Sequence, residues 1–217
     1  VSGMLIATTG TRSTANVATT NRHTRMARVE YLVTVAALTA VAGFRAAALQ
    51  YTLGASTAGD GGFHMVYRWG PATGVATTTT RAFAGMLGSV AAPTDVQPST
   101  LLNMCGMGWD AADANIQFMH NDGAGAATKI DLGASFPVPT VDRTSVYDIT
   151  LFAPPGTTQS LSYEVTDLVS GAVATGTVTT DIPAVGTLLA PYNYMSVGGT
   201  SSVVGIAVMG LYVESDH

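Results

Sequence analysis

The chain contains 217 residues, of which 11% are charged and 47% are hydrophobic, and its formal net charge is −5. Disorder is excluded for most of the chain, because disordered proteins combine low hydrophobicity with high net charge. The acidic balance argues against a nucleic-acid partner. The apolar run from Tyr31 to Phe44 is shorter than the roughly 20 residues that a membrane helix needs, so we expect no membrane insertion.

The residue types that are scarce indicate the fold class. Lys129 is the only lysine and glutamate occurs only three times, so the chain lacks the side chains that usually cover the wet face of a soluble helix. Thr, Val and Gly are abundant instead, and Thr and Val favour strands. A surface with so few charges also favours burial against further copies of the chain. We expect a homo-oligomer, and a monomer kept soluble by its hydroxyl groups is the alternative.

In chain order, residues 1–24 show no hydrophobic period and predict an N-terminal arm, whereas residues 25–217 predict one β domain. Residues 36–50 are Ala-rich and fit either a short helix or a turn between strands. Alternating or continuous apolar segments predict about ten to twelve strands, separated by turn signals, which is typical of an antiparallel β-sandwich or jelly roll. The clearest segments are 25–35, 63–69, 81–88, 101–108, 115–119, 128–132, 146–152, 160–165, 173–180 and 203–213.

A search for catalytic and cofactor motifs gives no candidate. The chain has no phosphate-binding glycine loop, no zinc-protease motif and no nucleophile elbow. Cys105 is the only cysteine, and its apolar neighbours predict a buried, inert thiol. We therefore predict no catalytic residues, no metal site and no cofactor.

The most polar short segment of the domain contains Asp110, Asp113 and Asn115. Their oxygens are of the type that binds calcium, but the spacing matches no calcium loop, and a loop whose side chains bond their own backbone is the favoured interpretation. The two carboxylates close to Trp109 also suggest a glycosidase pair, which requires a separation of about 5–9.5 Å and one acid that keeps its proton.

Aromatic residues provide a further hypothesis about ligands. We predict loops around Trp109 and around the segment Tyr192-Asn193-Tyr194. Sugar sites stack a ring on an exposed aromatic side chain and bind its hydroxyls with a few placed polar groups; a packed loop or a subunit contact explains the second segment equally well. The candidate glycan contacts are therefore Trp109, Asp110, Asp113, Asn115, Tyr192, Asn193 and Tyr194.

Several segments resemble the terminal domain of bacteriophage tail-fibre proteins. They are residues 81–86, 93–100, 115–123, 127–133 and the two parts of the chain end, 205–208 and 211–216. The resemblance covers about residues 60–217 and contains no catalytic signature.

The resemblance implies a receptor-binding head domain at the tip of a tail fibre. It implies a homotrimer that contacts other tail proteins of the virion and attaches to a polysaccharide on the bacterial surface, with residues 1–24 as an arm or as the end of the fibre shaft. Three copies of a weak sugar site would bind more tightly through multivalency. A glycan-degrading tail protein and a purely structural virion protein are the alternatives.

Overall fold

A computed structural model describes residues 6–215; residues 1–5 of the predicted arm and residues 216–217, at the end of the resemblance, lie outside it. The described part is almost entirely β structure, with one short helix, α1 (Arg22–Arg25), and one 3-10 turn (Pro98–Thr100). Its strands are β1 (Ile6–Thr9), β2 (Thr11–Ala15), β3 (Arg28–Ala37), β4 (Val41–Ala46), β5 (Phe63–Thr73), β6 (Arg81–Leu87), β7 (Met104–Trp109), β8 (Gln117–Asn121), β9 (Thr128–Asp131), β10 (Tyr147–Ala153), β11 (Leu161–Asp167), β12 (Val173–Val178), β13 (Ala190–Ser196) and β14 (Ser202–Glu214).

The strands form two antiparallel sheets of seven strands each. Sheet A has the order β1-β4-β13-β6-β7-β8-β9, and sheet B has the order β12-β11-β10-β5-β14-β3-β2. The predicted antiparallel β-sandwich is confirmed. The number of strands exceeds the predicted ten to twelve, because β1, β2, β4 and β13 lie in segments whose sequence gave no clear strand pattern.

Aromatic and aliphatic side chains from both sheets fill the space between them. Trp69 of β5 stacks on Trp109 of β7, with ring centroids 6.1 Å apart and planes 13° apart. Phe118 of β8 stacks on Tyr163 of β11 at 3.8 Å. Cys105 is also buried here, as predicted, and burial raises the pKa of its thiol to about 12. These contacts join the two sheets face to face.

Sheet A carries a further layer on its outer face. Residues 88–101, here called the cover segment, lie over a second apolar cluster that includes Phe83, Tyr192 and Tyr194. Each of these rings belongs to a residue that faces a glycine on one of its two neighbouring strands: the pairs are Phe83–Gly108, Tyr192–Gly85 and Tyr194–Gly43. Pairing a large ring with a residue that has no side chain leaves room for the ring on a crowded sheet face.

The structure differs from the predicted arm in residues 6–15. Strand β1 pairs with β4 at one edge of sheet A, and β2 pairs with β3 at one edge of sheet B. Both strands are mostly exposed, so they lack the apolar alternation that identifies a half-buried strand.

The chain between β2 and β3 is attached to the sandwich by His23 of α1. The imidazole is fully buried, and its Nδ1 lies 2.9 Å from the carbonyl oxygen of Ser145. A buried ion cluster lies nearby, in which Glu30 accepts hydrogen bonds from Arg28 at 2.8 Å and from Arg143 at 2.9 Å. Burial raises the pKa of Glu30, but the hydrogen bonds from the two guanidinium groups outweigh burial and lower it overall.

Candidate functional site

A crevice of about 360 Å³ lies at one end of the sandwich. It is lined by residues within 75–80, which follow β5, by residues within 109–114, which follow β7, and by residues 138–140. The loops that form it leave the ends of strands from both sheets, so the rigid sandwich fixes their separation. This crevice contains three of the seven predicted contact residues.

Trp109 is one of the residues that line the crevice, but the structure corrects its predicted loop position. It is the last residue of β7, it is fully buried, and it stacks on Trp69. Its indole Nε1 has no hydrogen-bond partner within residues 6–215. The ring lies on the inward-facing side of β7, so Trp109 supports the floor of the crevice from within the core and offers no exposed stacking surface.

Asp110 and Asp113 form a charged wall of the crevice together with Lys129 of β9. The Lys129 Nζ lies 3.1 Å from Asp110 Oδ2 and 2.5 Å from Asp113 Oδ1. Partial burial lowers the pKa of Lys129, but its hydrogen bonds to Asp113 and Asp110 outweigh burial and raise it overall. Two carboxylates therefore share one ammonium group.

The other oxygens of the two carboxylates bind backbone amides. The Ser99 N–H donates to Asp110 Oδ1 at 3.1 Å, and the Asp110 N–H donates to Asp113 Oδ2 at 2.8 Å. The predicted loop whose side chains bond backbone groups is thus confirmed for Asp113. Because all four carboxylate oxygens already accept a hydrogen bond, the arrangement does not resemble a glycosidase pair with one free acid.

Asn115 follows the crevice segment but does not line the crevice. Its Nδ2 donates to the carboxylate of Asp131 in β9, at 3.1 and 3.2 Å. Within residues 6–215, no cluster of three or more His, Cys, Asp or Glu has the geometry to hold a metal ion. No helix in that range is long and apolar enough to span a membrane.

The segment Tyr192-Asn193-Tyr194 lies in strand β13, and the prediction of a loop there is wrong. All three residues are buried. The hydroxyl of Tyr192 donates to the Ala91 carbonyl and that of Tyr194 donates to the Val96 carbonyl, both at 3.0 Å. Burial raises the pKa of Tyr192 to about 12 and raises that of Tyr194 well above its ordinary value. The two tyrosines hold the cover segment on sheet A. The side chain of Asn193, between them in the strand, is buried on the opposite face, in the core between the sheets, beside Tyr67.

Threonine hydroxyls, which the candidate list did not include, line much of the crevice. Thr77, Thr78 and Thr80 come from one side and Thr140 from the other. Thr80 Oγ1 donates to the Thr77 carbonyl at 2.9 Å, which fixes the loop, whereas Thr78 and Thr140 are exposed. The run of four threonines at residues 77–80 is the sequence signal for this wall.

Two further fixed carboxylates, Asp95 and Asp142, shape the loops around the crevice. Asp95 accepts hydrogen bonds from Arg81 at 2.8 Å and from the Gly198 N–H at 2.9 Å. Asp142 accepts from the Val75 N–H at 3.0 Å. Among the residues that the structure describes, the lining itself includes two carboxylates and no Lys, Arg or His.

No protein-family model and no curated protein matches the sequence, but solved structures share the fold. A structure of peanut lectin with a nine-residue peptide matches with a TM-score of 0.58 and 12% identity over 99% of this chain and 92% of that one. Lectin UEA-II complexed with galactose matches with a TM-score of 0.57 and 14% identity over 97% and 92% of the two chains.

A phage protein has a similar fold. A carbohydrate esterase from Shiga toxin-encoding bacteriophage phi24B matches with a TM-score of 0.52 and 13% identity over 96% of this chain and 89% of that one. At these identities the similarity establishes a common sandwich architecture.

Proposed function

We propose that this chain is a carbohydrate-binding domain and that the end crevice is its sugar site. The observation that carries the proposal is one crevice that combines the exposed apolar side chains of Ala76 and Ala114, the exposed hydroxyls of Thr78 and Thr140, and the fixed carboxylates of Asp110 and Asp113. Small-ligand sites typically combine an apolar base with a few rigidly placed polar groups. Sugars present both apolar C–H faces and hydroxyls, and this lining offers partners for both.

The biological setting that we propose is the tip of a phage tail fibre. The segments that resemble tail-fibre head domains support it, and so does the common fold of this chain and a phage carbohydrate esterase. Two other proteins that share the fold are lectins, one of them in complex with galactose. In this setting the domain attaches the virion to a polysaccharide of the bacterial surface and makes contact with other tail proteins.

We further propose that the domain works as a homotrimer without enzymatic activity. Scarce surface charge supports self-association, as do the exposed apolar side chains, which include Val35, Leu38, Phe152, Val173 and Tyr212. A trimer would raise the apparent affinity of a weak sugar site through multivalency. Sedimentation of the purified protein should give the mass of three chains, and a stable monomer would contradict this part of the proposal.

The function is tested by adsorption of the labelled protein to bacteria with and without their surface polysaccharide. We expect adsorption only when the polysaccharide is present, and no decrease in polymer length during incubation. Shortening of the polymer would instead indicate a glycan-degrading tail protein. A lack of adsorption to any cells would favour a structural virion protein.

A pair of matched substitutions connects adsorption to the crevice. Ala76 and Ala112 are both exposed, but only Ala76 lines the crevice. We expect Ala76→Trp to fill the crevice and abolish adsorption, and Ala112→Trp to leave it unchanged, provided that both variants keep the unfolding temperature of the wild type. Equal adsorption by the two variants would place the sugar site elsewhere on the domain.

A further inference from the structure

We infer that the end crevice accepts neutral sugar residues and excludes acidic ones such as uronates. This inference rests on the proposed function and adds the chemical class of the ligand. It follows from the balance of fixed charges around the crevice and from the polar groups that are available there.

The wall of the crevice carries a net negative charge. Asp110 and Asp113 are both bound by the single ammonium group of Lys129, so the group of three has one excess negative charge. The side chains of both aspartates are only 13% exposed, and their backbone hydrogen bonds hold them in place. They cannot turn away from an anion without breaking several hydrogen bonds.

The neighbouring cations do not offset this charge, because each is already paired. Arg81 donates two hydrogen bonds to Asp95 Oδ1, at 2.8 and 3.2 Å. Arg143 donates to both oxygens of Glu30, at 3.1 and 2.9 Å. An acidic sugar in the crevice would therefore meet carboxylates with no available cation among the residues described.

Neutral sugars, in contrast, find complementary groups. A carboxylate is an acceptor only, so a sugar hydroxyl can donate to the lone pairs that Asp110 and Asp113 retain. The hydroxyls of Thr78 and Thr140 can both donate and accept. The exposed Ala76 and Ala114 and the half-buried Val138 of the lining favour the uncharged C–H face of a ring.

The expected discrimination is large enough to measure. Two like charges about 6 Å apart at an effective dielectric constant of ~20 repel strongly enough to weaken binding roughly 100-fold, and screening by salt reduces this to roughly 10-fold. A polysaccharide that differs only in the oxidation of its primary alcohols to carboxylates should therefore bind about one to two orders of magnitude more weakly.

The test uses surface polysaccharide purified from the cells to which the protein adsorbs, in its native form and after oxidation of its primary alcohols to uronates. A third sample, in which the carboxylates are reduced back to alcohols, controls for damage to the polymer. We expect the native and the re-reduced samples to bind alike and the oxidised one to bind roughly 10- to 100-fold more weakly. At about 1 M salt, where the Debye length is ~3 Å, this difference should decrease.

A matched pair of variants assigns the effect to the crevice. Asp113→Asn removes the excess charge and leaves Asp110 to hold Lys129, so we expect the difference between native and oxidised polysaccharide to shrink roughly 10-fold. Asp131→Asn removes an exposed carboxylate that binds Asn115 outside the crevice, and should leave the difference unchanged. The effect of salt on the wild type tests the same inference if Asp113→Asn does not fold.

The outcomes separate this inference from the proposed function. If the native polysaccharide is acidic and binds, or if the oxidised sample binds as well as the native one, the charge selection is overturned and sugar binding stands. If neither sample binds, the sugar site itself is overturned, and the inference with it. A preference for the native sample that salt and Asp113→Asn both leave intact would also overturn the charge argument.

Discussion

The two sheets of the sandwich differ in what lies on their outer faces. In sheet A, every residue of β7, β8 and β13 is buried, because the cover segment adds a third layer over the outer face. In sheet B, β10 alternates between buried and partly or fully exposed residues, and most of β5 does the same. The comparison shows that one segment of irregular chain changes the burial pattern of the strands beneath it: the central strands of sheet A are buried along their whole length, whereas those of sheet B alternate.

The largest expected difference between the sheets comes from replacing one tyrosine by alanine on the outer face of each. Tyr194→Ala removes a buried ring of sheet A and should reduce the free energy of unfolding by about 3–5 kcal/mol. Tyr212→Ala removes a ring on sheet B that is 45% exposed, and should change it by less than about 0.5 kcal/mol. Urea denaturation measures both. A large loss for Tyr212→Ala would break the comparison and indicate that the outer face of sheet B is covered in the assembled protein.

A second pair adds a methyl group rather than removing a ring. A Cβ at Gly43 of β4 would lie 2.8 Å from Pro93 Cγ of the cover segment, whereas a Cβ at Gly210 of β14 would meet no atom within 4 Å. We expect Gly43→Ala to destabilise the protein by about 1–3 kcal/mol through overpacking. Gly210→Ala should be neutral or stabilising by up to about 1 kcal/mol. Thermal unfolding of the two variants compares them, and equal unfolding temperatures would show that the cover segment moves aside.

The tyrosine hydroxyls test how the cover segment is held. Tyr192→Phe and Tyr194→Phe each remove a hydrogen bond to a carbonyl group of that segment, so we expect a loss of about 1 kcal/mol each. Cleavage of residues 88–101 by a protease should also become faster, which limited proteolysis measures. Tyr212→Phe is the control on sheet B and should alter neither quantity. Unchanged proteolysis in the double variant would show that apolar packing alone holds the segment.

The smallest expected effect is the pH dependence of stability that arises from His23 of α1 and Glu30 of β3, next to sheet B. Burial lowers the pKa of His23 below its ordinary 6.5, and Arg28 and Arg143 add to this, whereas the Ser145 carbonyl and Glu30 oppose it. Because the unfolded chain takes up the proton more readily, stability should fall as the pH decreases below about 6.5 and until the folded pKa is passed. Glu30 has a lowered pKa and an ordinary value of 4.5, so its contribution is lost only at lower pH.

Unfolding temperatures at about pH 7.5 and about pH 5.5 separate these two ranges. The wild type and the control His64→Gln, which replaces a partly exposed histidine of β5, should both lose stability between these pH values. His23→Gln, whose amide can still donate to the Ser145 carbonyl, should lose less than either. A pH dependence that His23→Gln retains in full would assign it to another group.

The sequence predicts sheet B better than sheet A. The alternation in residues 63–69 and 146–152 matches strands β5 and β10, because one face of each is packed and the other is wet. The apolar run 101–108 is also correctly predicted to contain a buried strand. The two edge strands β1 and β2 escape prediction, since their exposed residues need no apolar period.

The candidate site shows the same division. Trp109, Asp110 and Asp113 are correctly predicted to lie together, because they belong to one short segment of the chain. Tyr192 and Tyr194 are misplaced because the cover segment that buries them is about 100 residues away in the chain, and local patterns contain no information about such a contact. Lys129 of β9 and Thr140 of a later loop are not predicted as parts of the site for the same reason.

At three of its positions the cover segment is anchored through its main chain. Its carbonyl groups at Val90, Ala91 and Val96 accept hydrogen bonds from Arg45, Tyr192 and Tyr194. Every amino acid offers the same carbonyl, so the attachment places little demand on the identity of these three residues. These three positions of the domain surface are therefore free to accumulate substitutions during evolution while the sheet beneath them stays buried, whereas Asp95, whose side chain binds Arg81 and the Gly198 N–H, is not.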